Sequence, residues 1–465
     1  MKKSLILMLV ALAFVTMAQA QISDDLLNKA NSGDAEAMCE IGLSYAFGQG
    51  VTQDYAKAME WFQKAAENGN IDAMCNIGTL YETGQGAPRD YSRAIEWFQK
   101  AADQQSSEAM NNLGYLYCNG LGIPQDYSMG MEWYQKAADR GNGDAMFNIG
   151  NMYELGLGVI QDNNNALEWY YKSAVNGNNE AMERIKQASQ QGDGSAMFYV
   201  GYLYETGQGG VPLNYSKAIE WYQKAADGGN DMAMVNIGLL YEWGDYTQDF
   251  TKAMEWYQKA ADRGNDMAMV EIGRLYGLGD VVGYNFEQDF YKQMEWYQKA
   301  AERGNSIAML EIGNSYRLGH VVSQDYGKAM EWYQKAIDEG GISTAMVYIG
   351  AMYEIGEGVT QDYTKAMEWY QKAADQDDDA AFYCIGDMFF NGHGVTKDYK
   401  KAFEMYKKAV DASDYPFNEA MYMLSTCYRF GYGVSKDIDK AEYWLMRAEE
   451  SGNEDAYTIK KLMRK

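Results

Sequence analysis

A repeat of 36 residues runs along almost the whole chain. The segment 54–66, Asp-Tyr-Ala-Lys-Ala-Met-Glu-Trp-Phe-Gln-Lys-Ala-Ala, returns with small changes down the 465-residue sequence. A period of this size is typical of stacked supersecondary units. Each unit packs only on its neighbours, so the chain need not divide at the usual limit of one hydrophobic core, about 250–300 residues. The repeat therefore predicts an all-α solenoid and directs the search for function toward its surfaces.

Each repeat predicts two helices. In the unit 34–69, Ala37, Ile41 and Tyr45 recur at helical spacing and predict a first helix. The glycine-containing segment 48–51 ends that helix and turns the chain.

Asp54 is the predicted N-cap of the second helix, because its carboxylate can accept hydrogen bonds from free amides of the first turn. The capping position returns as Asp90, Asp126, Asp162, Asn214, Asp249, Asp289, Asp325, Asp362, Asp398 and Asp437. The predicted buried stripe of the second helix consists of Ala58, Trp61, Ala65 and Ala66, with Trp61 as the large side chain between repeats.

Gly42 is predicted to allow a close approach of two helices. Its position returns as Gly78, Gly114, Gly150, Gly201, Gly238, Gly273, Gly313, Gly350, Gly386 and finally Ser425. Glu60 and Lys64 are spaced i,i+4 and recur in most repeats, which predicts weak ion pairs on a solvated helix face.

The repeat resembles the Sel1-like repeat family, whose members are relatives of the tetratricopeptide repeats. The resemblance rests on the unit Ala-Met…Ile-Gly…Tyr…Gly-x-Gly-Val…Asp-Tyr…Lys-Ala…Glu-Trp-Tyr-Gln-Lys-Ala-Ala, in eleven copies over residues 34–452. It implies a right-handed α-solenoid of helix-hairpin-helix repeats that serves as a scaffold or adaptor in protein complexes. Some cysteine-rich secreted members are linked to β-lactam or cell-wall ligands, but the paired cysteines of those repeats are missing here.

The N-terminal segment has the pattern of a secretory signal peptide. Lys2 and Lys3 precede an apolar run over 5–15, and Ala18-Gln19-Ala20 fits a small-x-small cleavage site. The apolar run is too short to span a membrane. We therefore expect export to a bacterial periplasm or beyond, with no stable membrane insertion.

The predicted organisation follows from these boundaries: signal peptide 1–20, N-terminal cap 21–33, repeats one to four 34–177, a truncated repeat or joint 178–192, repeats five to ten 193–412, repeat eleven 413–452 and a C-terminal capping helix 453–465. The segment 178–192 is interpreted as a decayed repeat that keeps one short helix, or as a joint that changes the direction of the superhelix. The long hairpin 280–288 carries apolar residues that either contact a partner or fold back on the solenoid.

The net charge of −26 argues against a nucleic-acid or anionic-lipid partner, because no basic stripe is present. A solvated, self-repelling surface explains this charge, and a basic protein or peptide partner is the sharper alternative. Cys39 and Cys75 occupy equivalent positions in adjacent repeats, too far apart for a disulfide, and all five cysteines are interpreted as small apolar side chains.

The candidate binding surface is the face of the first helices that varies most between repeats, which we expect to be concave. The predicted contact residues are Tyr115, Phe147, Tyr202, Glu205, Glu242, Trp243, Arg274, Arg317, Tyr383, Phe390, Tyr422 and Arg429. Tyrosine, tryptophan and arginine are enriched at interface hot spots. Trp243 is the one tryptophan outside the Trp61 position, and it either contacts a ligand or packs under the short hairpin 245–248.

No catalytic, cofactor or metal motif is recognisable. The two histidines, His320 and His393, lie in different hairpins and leave little material for a triad or a zinc site. The sequence therefore favours a monomeric, non-catalytic scaffold. The alternative is a protein that binds cell-wall glycans or muropeptides, with hydrolysis as an extension of that alternative.

Overall fold

The computed structural model describes residues 22–244, 248–279, 288–413, 416–453 and 456, and all regular structure in these residues is helical. The helices are α1 Asp24–Asn31, α2 Ala35–Phe47, α3 Tyr55–Glu67, α4 Ile71–Thr83, α5 Tyr91–Asp103, α6 Ser107–Asn119, α7 Tyr127–Ala138, α8 Gly143–Leu155, α9 Asn163–Val175, α10 Asn179–Gln190, α11 Gly194–Thr206, α12 Tyr215–Asp227, α13 Asp231–Trp243, α14 Phe250–Asp262, α15 Asp266–Leu278, α16 Phe290–Ala301, α17 Ser306–Leu318, α18 Tyr326–Gly340, α19 Ser343–Ile355, α20 Tyr363–Ala374, α21 Asp379–Asn391, α22 Tyr399–Ala412, α23 Asn418–Phe430 and α24 Ile438–Glu450.

Consecutive helices pack as hairpins, such as α2 with α3 and α4 with α5, and within each unit neighbouring hairpins pack on each other through contacts such as α3 with α4. The predicted all-α solenoid of eleven hairpins is confirmed. The chain divides into two compact units, Met1–Ala233 and Met234–Lys465. Among the described residues, no helix is both long enough and apolar enough to cross a membrane.

The ends of the helices follow from local chemistry. Asp54 accepts hydrogen bonds from the amides of Ala56 and Lys57. At the start of each of the other ten second helices, the capping side chain also accepts a hydrogen bond from at least one amide of the first turn. The predicted caps are therefore confirmed. Gly48 ends α2 in the left-handed region, with φ of 70°, which a side chain would disfavour.

The predicted buried stripe of the second helix needs one correction. Trp61 is only half-buried, whereas the adjacent Phe62 is fully buried. Its ring fills the space left by Gly42, where a Cβ atom would lie 2.5 Å from the Phe62 ring. The same contact recurs between Gly78 and Phe98, Gly114 and Tyr134, Gly150 and Tyr170, Gly201 and Tyr222, Gly238 and Tyr257, Gly273 and Tyr297, Gly313 and Tyr333, Gly350 and Tyr370, and Gly386 and Tyr406.

The lysine predicted to pair with Glu60 lies instead over an indole ring. Lys64 Nζ lies 4.3 Å from the ring centroid of Trp61. Nine tryptophans at the Trp61 position are covered in this way, at 3.8–4.6 Å: Trp61, Trp97, Trp133, Trp169, Trp221, Trp256, Trp296, Trp332 and Trp369. Among the described residues, the predicted i,i+4 ion pair forms only between Glu168 and Lys172 and between Glu295 and Lys299, each at 2.7 Å.

A second row of rings is covered by cations as well. Lys57 Nζ lies 5.3 Å from the ring centroid of Tyr45. A lysine or arginine covers nine rings at this position, at 4.9–5.5 Å: Tyr45, Tyr81, Tyr204, Tyr241, Tyr276, Tyr316, Tyr353, Phe389 and Tyr428. Most aromatic rings at these two repeat positions therefore make cation–π contacts with lysine or arginine side chains of the same chain.

The irregular segment 178–192 contains the single helix α10, which packs on both α9 and α11 and buries Ala181, Met182 and Ile185. Because α10 has no hairpin partner, α9 also contacts α11 directly. The five cysteines are free thiols within the described residues. The predicted signal peptide, the apolar residues of the hairpin 280–288 and nearly all of the predicted helix 453–465 lie outside the described residues.

Candidate functional site

The first helices of the hairpins carry all twelve predicted contact residues. These helices are α2, α4, α6, α8, α11, α13, α15, α17, α19, α21 and α23, and we call their non-buried residues the first-helix surface. Trp243 is exposed and Glu242 is fully buried, while the other ten predicted residues are half-buried. What surrounds each residue decides which of them is available to a partner.

The two predicted glutamates accept hydrogen bonds from buried tyrosines of their own repeats. Glu242 Oε2 accepts from the hydroxyl of Tyr257 at 2.9 Å, and Glu205 accepts from Tyr222. The same bond joins Tyr170 to Glu154 at 2.6 Å and Tyr370 to Glu354 at 2.7 Å. Burial, and then the carboxylate of Glu242, raises the pKa of Tyr257. These glutamates therefore hold the two helices of a hairpin together.

Glu242 also belongs to an ion-pair cluster. Arg274 Nη2 lies 2.5 Å from Glu242 Oε1 and 2.7 Å from Glu271 Oε2, and Arg274 Nε donates to Glu271 at 2.8 Å. The guanidinium carbon lies 5.6 Å from the ring centroid of Trp243. Because Glu242 is fully buried, it cannot contact a partner directly. Its role is to orient Arg274 beneath an indole that is 66% exposed.

Three predicted aromatic contacts pack mainly against rings of their own chain. Phe147 lies 5.4 Å from Tyr170, measured between ring centroids. Tyr383 lies 5.9 Å from Tyr406 and 5.5 Å from Phe417. Phe390 lies within 5.2–6.4 Å of Tyr399, Tyr406 and Tyr432. These half-buried rings therefore pack within their own repeat or against the next one.

The remaining predicted residues are partly occupied. Arg317 Nη1 lies 3.6 Å from Glu357 Oε2, and its guanidinium carbon lies 5.3 Å from the ring centroid of Tyr348. One buried nitrogen of Arg317 and one of Arg429 have no hydrogen-bond partner among the described residues. Tyr422 packs against the cluster that contains Leu445. Burial raises the pKa of Tyr115.

A row of exposed apolar residues on the first-helix surface was missed by the prediction, except for Trp243. The row lies in the second unit, at the last residue of a first helix, and its members are 37–66% exposed: Trp243, Leu278, Leu318, Ile355 and Phe430. We call these five residues the apolar row. In the first unit the same position is polar at Thr83, Asn119 and Thr206 but apolar at Phe47 and at Leu155, which is 63% exposed, and in the second unit Asn391 interrupts the row. Apolar residues directly before the helix-ending glycine were the available signal.

Tyr202 belongs to an aromatic cluster in the first unit. Tyr171 stacks on Tyr199 with centroids 5.1 Å apart and meets Tyr202 edge-on at 5.5 Å. Phe198 stacks on Tyr202 at 6.2 Å. All four rings are half-buried, and we call them the Tyr171 cluster. The available signal was Tyr171 itself, since eight of the eleven copies have glutamine at this position.

Comparison with known proteins identifies the repeat. The family model for the Sel1 repeat matches residues 35–70, 71–106, 107–142, 143–178, 194–230, 231–265, 266–305, 306–341, 343–378, 381–414 and 418–453. The chain belongs to the Sel1 repeat family. The matched segments coincide with the eleven helix hairpins and leave α10 between the fourth and fifth repeats. No curated protein matches the chain significantly.

Among solved structures, the chain is similar to a protective antigen of uropathogenic Escherichia coli strains that displays an SLR fold. Identity is 30% over 96% of this chain and 90% of that chain, with a TM-score of 0.49. A Sel1 repeat protein from Oxalobacter formigenes is 24% identical over 79% of this chain and 90% of that one, with a TM-score of 0.37. Yeast Tom70 is 14% identical over 91% and 85% of the two chains, with a TM-score of 0.35.

The described part of the chain presents stacked helices and a small cavity. No group of three or more histidines, cysteines or carboxylates that could hold a metal ion occurs in the described part of the chain. A cavity lined by Phe403, Leu424 and Trp444 measures about 60 Å³, whereas small-molecule sites measure roughly 300–1,000 Å³. Sel1 repeat proteins are typically scaffolds for protein interactions.

Proposed function

We propose that this protein is an exported, monomeric and non-catalytic scaffold that binds a protein or peptide partner along its first-helix surface. The observation that carries the proposal is the apolar row of the second unit. Apolar side chains exposed at the same position of several helices have an unfavourable free energy in water. Contiguous exposed apolar patches mark interaction sites. They lie at equivalent ends of stacked helices, with a polar gap at Asn391, and so offer contacts to a partner that runs along these repeats.

Trp243 is the proposed anchor of this interface. Its indole is 66% exposed, and the Arg274 guanidinium on which it rests is held by Glu242 and Glu271. A large aromatic side chain with a fixed support loses little conformational entropy on binding, which is a property of hot-spot residues.

Site-specific photo-crosslinking in the native host tests this function. A crosslinking phenylalanine derivative replaces Trp243 or Ile355 in the apolar row, and Tyr291 serves as the matched control. Tyr291 is 84% exposed in the same unit but lies on the second helix α16, away from the row. We expect the same discrete protein adduct at positions 243 and 355 and no such adduct at 291. Identical adducts at all three positions, or adducts with none, would contradict the proposal.

Export is the second part of the proposal and is supported by the pattern of residues 1–20. Cell fractionation should place the protein outside the cytoplasm. Mass spectrometry of its N-terminus should show a chain that begins at Gln21. A cytoplasmic protein that keeps Lys2 and Lys3 would contradict export without affecting the binding proposal.

A further inference from the structure

The Tyr171 cluster departs from the Sel1 pattern at two positions whose usual residues are known from the chain itself. Tyr171 replaces the glutamine of eight other copies, and Tyr199 stands where four copies have asparagine, at Asn76, Asn112, Asn148 and Asn236, and one other copy has a tyrosine, Tyr348. Neither change is needed to build a hairpin, because the other copies fold with the polar residues. The two tyrosines therefore call for an explanation beyond folding.

The cluster forms where the repeat array is interrupted. Tyr171 lies on α9, and Tyr199 and Tyr202 lie on α11. These helices belong to successive repeats, and they touch directly because only the single helix α10 separates them. As a result, rings from both helices meet as one half-buried aromatic surface.

Among the described residues, this surface differs from most rings at the Trp61 and Tyr45 positions in having no cation of its own. Eighteen rings at the Trp61 and Tyr45 positions lie under a lysine or arginine of the same chain. Within the described residues, no lysine or arginine covers a ring of the Tyr171 cluster, whereas Tyr348, the counterpart of Tyr199, lies under Arg317. A cation over an aromatic face contributes about 0.5–2 kcal/mol, so the uncovered rings are an available place for such a contact.

Two carboxylates, those of Glu168 and Glu205, act on the cluster. Burial, then Tyr202 and the carboxylate of Glu205, raise the pKa of Tyr171 to about 12. Burial, then the carboxylate of Glu168 and Tyr171, raise the pKa of Tyr199 to about 12. Glu168 also binds Lys172, and Glu205 accepts from Tyr222, so neither carboxylate is fully free. Their field, together with the net charge of −26, still favours a cation at this surface.

We propose that the Tyr171 cluster is a docking site for arginine or lysine side chains in a basic segment of the partner protein. This inference rests on the proposed scaffold function and names the chemistry of the partner at one site. The incoming cation takes the place that the chain's own lysines occupy over the other rings, between the aromatic faces and the carboxylates of Glu168 and Glu205.

Calorimetric titration of the full chain with an octa-arginine peptide tests the site, and an octa-citrulline peptide of the same shape without charge is the probe control. The test variant is Tyr171→Gln with Tyr199→Asn, which restores residues that other repeats carry. The matched protein control is Tyr348→Asn, the same substitution at the covered counterpart. We expect the double variant to bind octa-arginine about tenfold more weakly, Tyr348→Asn to be unchanged, and octa-citrulline not to bind.

A second variant keeps the test decisive if the first one folds poorly. Tyr171→Phe with Tyr199→Phe retains the rings and removes the hydroxyls, so octa-arginine affinity should stay within about twofold of the parent. A larger loss in this variant, or equal affinity of the Gln/Asn variant and the parent, would overturn the proposal, the latter by showing diffuse attraction to an acidic surface. Binding of a muropeptide at these tyrosines in preference to octa-arginine would overturn it in favour of sugar stacking.

The outcome is separable from that of the proposed function. Crosslinking at the apolar row in the native host reports the scaffold function, and peptide titration of the purified chain reports this site. If crosslinking fails and peptide titration succeeds, only the role of the apolar row is rejected. If crosslinking succeeds and titration fails, only the basic partner segment at the Tyr171 cluster is rejected.

Discussion

Replacing Gly78 by alanine should destabilise the second repeat, against the usual effect of this substitution in a helix. Gly78 lies inside α4 and faces the ring of Phe98 on α5. A Cβ atom at position 78 would lie 2.6 Å from Phe98 Cε1 and 2.7 Å from Cδ1. The Phe98 ring is fully buried, so it cannot turn away into solvent.

Two opposing free energies decide the sign. Alanine has a higher helix propensity than glycine by about 1 kcal/mol. Overpacking a well-packed core costs about 1–3 kcal/mol. Subtracting the gain in helix propensity from the middle of the overpacking range gives an expected net loss of about 1 kcal/mol in the local free energy of unfolding.

The last repeat suggests the compensating change. Ser425 occupies the glycine position there and donates a hydrogen bond to the carbonyl of Ala441 at 2.8 Å, and the residue at the Phe62 position of the same repeat is Leu445. Phe98→Leu should therefore relieve the clash in the Gly78→Ala background. A double-mutant cycle should give a favourable coupling of about 1–2 kcal/mol between the two substitutions.

Hydrogen exchange followed by mass spectrometry is the appropriate assay, because long repeat arrays need not unfold in one step. Amides of α4 and α5 should exchange about fivefold faster in Gly78→Ala, and those of α23 and α24 should be unchanged. Slower exchange in α4 would refute the reasoning, since it would show that helix propensity exceeds the cost of the contact with Phe98.

Two further predictions concern ionisable groups. Burial, and then the carboxylates of Asp72 and Asp144, raise the pKa of Glu108 to about 8, so its stabilising protonated form is lost as pH rises from about 4.5 to about 8. Hydrogen exchange of the α6 amides should therefore show the local free energy of opening in Glu108→Gln gaining at least about 1.4 kcal/mol relative to the parent across that range, and an equal difference at both ends would contradict this. Burial raises the pKa of Cys39 and Cys75 to about 12, so both thiols should resist iodoacetamide near neutral pH until the chain is denatured. Rapid native labelling would show that these helices open readily.

Much of the candidate site could not be predicted from the sequence, because residues that are distant in sequence decide which side chains are exposed. Glu242 and Trp243 are adjacent and were both predicted as contacts, yet one is fully buried and the other is largely exposed. Adjacent side chains on a helix point in directions about 100° apart. Only the positions of Tyr257 and Arg274 show which of these two directions is buried by neighbouring residues. The Tyr171 cluster depends on contact between α9 and α11, which no local pattern predicts.

The sequence by itself determined the number of repeats, the capping residues such as Asp54 and the positions of small residues such as Gly42. These features depend on local backbone chemistry and on a period that is visible in one dimension. The tertiary structure alone decided that Phe62, and not Trp61, fills the space over Gly42, and that Lys64 lies on the indole and not beside Glu60. Residues 61 and 62 both border the same apolar stripe, so the direction of the packed first helix, which is a long-range property, selects between them.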